Sequence, residues 1–301
     1  MDDLMIEKAN VLKLLEIYPW KWRYTKLLML EKVFDERELF FSKFERLFTF
    51  HDFRDYDYVV HEEIKRGIII DMIASVMQMA EDFAAFFIAF QDGNNICRQI
   101  FSHSTTKVDK FYRNTNNFSS QDIMTVFKYE RKGFDVDKDI DHSILKINEY
   151  FKQVSRFWID FKELYNKYKH GQFVLIRSFG ELSKEDVKKE KNSRRGIIGI
   201  IDFSTAKDFF KREKKEPLIF LGIENNIIKK NLKKLFEQGN LLKISQLKEI
   251  NVIDIIKVGW KLYILLYTVF FNNYAWAKEN KFNIMFINED KHGSKEVIST
   301  N

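Results

Sequence analysis

Over residues 161–171 the chain reads FKELYNKYKHG, and Lys162, Asn166 and His170 recur there at every fourth position. That spacing puts side chains in one stripe along a helix. A histidine in the last turn of a helix is favoured in its charged form by the macrodipole, which carries its pKa toward the range useful for proton transfer. Lys162, Lys167 and Lys169 add positive potential. An imidazole, an amide and ammonium groups on one face can hold an RNA phosphate and move a proton to or from a 2′-hydroxyl. The same residues, with Gly171 after them, also read as an ordinary helix stop. A second polar line, Asp71, Ser75, Gln78 and Asp82 with Glu81 beside it, crosses an otherwise apolar run at residues 66–90. Carboxylates in such a run need partners. If this helix packs beside the one ending at His170, Asp82 or Glu81 can meet His170 or Lys162 and fix the imidazole's tautomer; otherwise the line is the hydrated face of an amphipathic helix.

The string YNKYKHG, with Asn166, His170 and Gly171, resembles the HEPN superfamily of helical proteins. The family's mark is Arg followed by Asn or another polar residue and, a few positions on, by His near the end of a long helix. The resemblance implies a metal-independent ribonuclease working as a homodimer, in a toxin–antitoxin or defence setting, with His170 as acid or base. Asn166 and Lys162 would then contact the phosphate or transition state, with Asp82 orienting the imidazole. The family's arginine falls at Tyr165, and the nearest arginine upstream is Arg156. Arginine is the side chain best suited to clamp a phosphate with two parallel hydrogen bonds. Its absence supports a competing expectation: a non-catalytic helical interaction or scaffold protein with a protein partner.

Other templates fail on spacing. The acidic run at residues 135–141 resembles a calcium loop, yet Ile140 and Lys146 occupy the positions that need glycine and a bidentate glutamate. It reads better as a helix N-terminus capped by Asp139, Asp141 or Ser143. His61 precedes Glu62 and Glu63, but Lys65 stands where a zinc protease helix places its second histidine. No phosphate-binding glycine loop and no nucleophile elbow occur in the sequence. No metal and no cofactor are expected. Cys97 is the single cysteine, which excludes an intramolecular disulfide and any thiolate zinc cluster.

The elements that must carry these residues are long helices. With two prolines and eleven glycines in 301 residues, a β-sandwich lacks its turns. The expected fold is mainly α: a helical bundle of long antiparallel helices with a small β insertion. Helices are predicted at residues 3–49, broken at Pro19 and restarting near Asp35, then from Tyr56 to a stop at Asp92, Gly93 and Asn94. Ser119 or Ser120 caps another. Residues 144–168 carry apolar side chains at alternating intervals of three and four, an aromatic seam from Ile144 to Tyr168. The Lys162 stripe is placed well away from that seam. Residues 172–224 contain β-branched runs read as strands, 225–290 return to helices, including one from Ser245 to Lys281 and a last short strand, and 291–301 form a disordered polar tail. The apolar runs are interrupted by charge, so core helices and no membrane span are expected. The single cysteine points to a reducing compartment and the start MDDLMIEKAN is acidic where a secretory signal is basic, so a cytoplasmic location is expected.

Thirty phenylalanines belong to the helical core, and AT-rich coding explains part of that excess. The basic excess is local: residues 183–234 hold fifteen Lys and Arg against eight Asp and Glu, within a chain of net charge +6. This segment is either a polyanion-binding patch that includes Arg194 and Arg195, or solvated loops. If it binds nucleic acid, affinity falls steeply with added salt, and reversing the charge of Arg194 and Arg195 weakens binding at low salt by about tenfold or more. Filter binding across a salt series checks this, and salt-independent binding contradicts it.

Overall fold

A computed structural model describes residues 3–36, 39, 57–169, 175–177, 195–201, 244–278, 284–287 and 297–299. The protein is mainly α. In chain order the helices are α1 (Asp3–Ile17), α2 (Trp20–Asp35), α3 (Asp57–Asp92), α4 (Ile96–Phe101), α5 (Thr105–Arg113), α6 (Ser120–Phe127), α7 (Phe134–Lys169) and α8 (Val252–Ala277). The strands are β1 (Leu175–Arg177), β2 (Arg195–Ile201), β3 (Ile244–Asn251), β4 (Met285–Ile287) and β5 (Val297–Ser299). The chain divides into two compact units, one of residues 1–29, 73–162 and 256–301, the other of residues 30–72 and 163–255.

Local chemistry sets most helix ends. Pro19 separates α1 from α2. Gly93, at φ +74°, turns the chain after α3, and the Glu7 carboxylate accepts the Ile96 N–H at 2.7 Å to cap α4. Ser119 closes a capping box with Asp122, so α6 starts at Ser120.

The first unit is built on α3. Phe83, Phe86, Phe87 and Phe90 are all fully buried on it. Phe83 and Phe87 meet Phe111 and Phe151 in tilted and edge-to-face pairs, while Phe86 meets Tyr18 and Phe270 edge to face. Trp158 stacks on Tyr112. Buried asparagines replace missing backbone partners: Asn272 donates to the Phe127 carbonyl and pairs with both backbone groups of Met285, and Asn273 donates to the Val126 carbonyl. α8 approaches α2 and α3 closely at Gly259, where an added Cβ would lie 2.2 Å from Leu27 Cδ2. By length and composition the segment Gly67–Asp92 could cross a membrane, and 83% of its most apolar window is buried inside the protein.

In the second unit β1, β2 and β3 form an antiparallel sheet in that order, with Leu175 opposite Gly199 and Arg195 opposite Asn251. Asn251 ends β3, and its side-chain oxygen accepts the Ile253 N–H at 3.0 Å, turning the strand directly into α8. Phe34, Ile69, Leu164 and Tyr165 are buried here.

The break expected near Asp35 is present, since α2 ends there, Lys32 pairs with Glu36 at 2.6 Å and Leu39 beyond is again helical. Several expectations are corrected. α7 starts ten residues before Ile144, so Asp135 and Asp137 lie in its first turn, while Ser143 is buried and accepts the Ile287 N–H at 3.0 Å. Residues 244–251 are strand, because pairing with the isoleucine-rich β2 outweighs the local helical pattern. The β segment therefore extends past residue 224. Val297–Ser299 pairs with Met285–Ile287 where a disordered tail is expected. The candidate strand at 216–223 and the helix at 225–242 lie outside the described residues.

At Gly259 the close approach makes a sign prediction. Gly259→Ala gains helix propensity but overpacks against Leu27, for a net destabilisation of about 1–2 kcal/mol in urea unfolding. In a Leu27→Ala background the same substitution becomes neutral or stabilising; equal costs in both backgrounds contradict the packing account.

Candidate functional site

The seam of α7 is as its spacing predicts over Ile144, Ile147, Phe151, Val154, Trp158, Phe161 and Tyr165, all buried, but its expected last member, Tyr168, is exposed because the helix is leaving the core there. Tyr165, at the position of the family's arginine, is 2% exposed. The Lys169 ammonium lies 5.5 Å from its ring centroid, within cation–π range. Asn166 is half-buried and Lys169 exposed. Tyr168 donates its hydroxyl to Asp71, a bond between α7 and α3 inside the second unit. That bond, with burial, pushes the phenol up to about 12. Lys167 lies within α7. His170 and Arg194 lie outside the described residues, and Arg195 opens β2.

Lys162 does not stand apart from the seam. Its ammonium is 2.7 Å from Asp109 Oδ1 on α5, in the first unit. Trp158, a seam residue one turn earlier, donates its indole N–H to the same oxygen at 3.3 Å, and Arg113 Nε donates to Asp109 Oδ2 at 2.9 Å. Burial tends to raise the Asp109 carboxyl, but the hydrogen bonds from Lys162, Arg113 and Trp158 outweigh it and hold the group below the ordinary carboxylate range. The sequence signal was present on both helices, since Asp109 and Arg113 sit four residues apart on α5 and Trp158 and Lys162 four apart on α7. Nothing in one chain without a fold says that the two pairs face each other.

Asp82 has partners of its own in the first unit. Its Oδ2 lies 3.4 Å from Arg23 Nε, and Arg23 Nη1 donates to Gln78 Oε1 at 2.7 Å. Burial pushes the Asp82 carboxyl upward, against the lowering effects of the Tyr18 hydroxyl and the Arg23 guanidinium. Tyr18 is raised in turn, first by burial and then by Asp82. Within the polar line on α3, Ser75 and Glu81 are buried, Gln78 and Asp71 hydrogen-bond to other helices, and Asp82 is ion-paired with Arg23. Among the described residues no three of His, Cys, Asp or Glu gather to hold a metal ion.

Chemically, the described part of this region offers internally matched ion pairs. Lys162 meets Asp109, Asp82 meets Arg23, and neither carboxylate–cation pair contains the other's members. Compared with protein-family models, with curated proteins and with solved structures, the chain gives no match.

The two carboxylates carry opposite linkage to pH. Asp109 is lowered on folding, so its contribution is present above the unfolded pKa near 4 and is lost as pH falls. Asp82 is raised, so the folded state favours its neutral form, and that contribution is lost as pH climbs through the raised value. In urea unfolding, Asp109→Asn costs about 1 kcal/mol at pH 7 and less at pH 3. Asp82→Asn gains on the wild type as pH rises from 3 to 7. The same pH trend in both variants contradicts the assignment.

Proposed function

We propose that the chain is an HEPN-like helical protein that binds RNA along α7 and the basic segment beyond it, and that it holds RNA without cleaving it. The observation that most supports this reading is the 2.7 Å pair between Lys162 and Asp109. The ammonium assigned to the phosphate is already matched by a carboxylate that also accepts Arg113 and Trp158. Tyr165 takes the arginine's place with its ring buried, so the bidentate phosphate clamp is missing from the motif. Asp82, the intended partner of the imidazole, is engaged by Arg23. RNA remains the favoured partner because the positive excess follows α7 directly in the chain. A homodimer is part of this reading, as it is of the resemblance.

Incubating the purified full chain with labelled single-stranded RNA and a chelator tests it. Binding is expected, with the RNA intact in the wild type and in His170→Ala alike. Cleavage by the wild type that His170→Ala abolishes, with an unchanged circular dichroism spectrum, would overturn the non-catalytic reading in favour of a metal-independent ribonuclease. Absence of binding at low salt would remove RNA as the partner.

A further inference from the structure

A hollow of about 240 Å³ opens in the first unit beside the middle of α7, facing the short 3₁₀ turn Thr115–Asn117. Its floor is fixed. The Thr115 and Ser155 hydroxyls, both buried, donate to the Tyr112 carbonyl, and the Tyr112 ring is stacked on Trp158. The donors that remain at its mouth are the Lys152 ammonium, the Arg156 guanidinium and the Asn116 amide. Lys152 and Arg156 are one helical turn apart, both exposed, and neither makes an ion pair among the described residues.

Two cations and an amide around a polar hollow complement an oxyanion. The guanidinium fork can take two oxygens of one phosphate, and the ammonium adds a point charge. Asp160 also lines the hollow, where its carboxylate disfavours a second negative charge. That combination suits a singly charged diester better than a doubly charged monoester. Ile159, 42% exposed at the edge, offers apolar surface to the sugar or base of the same nucleotide. We propose that this hollow seats one phosphodiester group of a single-stranded RNA, with Arg156 and Lys152 as its ligands. The proposal rests on the RNA-binding reading and assigns it an address on α7 separate from the Lys162 stripe.

Fluorescence anisotropy of a labelled oligouridylate with the full chain tests it. Arg156→Gln and Lys152→Gln are each expected to weaken binding about tenfold at low salt and to reduce the slope of log affinity against log salt by roughly 0.7 per cation removed. Asp160→Asn is expected to tighten binding, an outcome that a misfolded variant cannot mimic. A uridine dinucleotide should compete better than uridine 5′-monophosphate. Oligouridylate binding unchanged by both cation substitutions overturns the assignment while leaving the RNA reading standing. Stronger competition by the monophosphate overturns the diester specificity, and no binding by the wild type defeats both readings.

Discussion

A helix that is apolar on nearly all sides has to be buried on nearly all sides, and α3 imposes that condition on the elements around it. Its phenylalanines are covered by rings from α5, α7 and α8. Each polar group it carries then needs a partner inside the protein. Arg23 serves Gln78 and Asp82 together, and the Tyr112 hydroxyl donates to the Ala80 carbonyl at 2.7 Å. The polar residues on these helices are thereby drawn into structural roles, including several that suggest catalysis when read along the sequence.

The same constraint extends to α7. Its seam is held against the core by Trp158, whose indole nitrogen is buried and needs an acceptor. Asp109 supplies that acceptor and also takes Lys162. A lysine four residues after a buried tryptophan is thus held at the edge of the core, with its aliphatic stem beside the seam and its charge matched. Upstream on the same helix, Lys152 and Arg156 have no such carboxylate among the described residues.

Much of the fold was legible because its signals are local. Pro19, Gly93 and Ser119 each act through their own backbone neighbours, and the three-and-four spacing of residues 144–165 measures a property of one helix. What was not legible depends on residues distant in sequence. β3 is strand because β2 pairs with it across more than forty intervening residues. Asp109 carries no local signal for the same reason: its partners Trp158 and Lys162 are 49 and 53 residues away. On the functional side, Asn166 and Lys162 were found by spacing, but whether a lysine faces a substrate or a carboxylate is decided by packing.

Lys162 is a structural partner of Asp109, its ammonium matched inside the protein. A double-mutant cycle on unfolding free energy, using Lys162→Met, Asp109→Asn and the combined variant at pH 7 and low salt, measures that pairing directly. A coupling of about 1 kcal/mol is predicted for a half-buried, hydrogen-bonded pair. A coupling below roughly 0.3 kcal/mol would contradict the structural pairing and leave the Lys162 ammonium unassigned to Asp109.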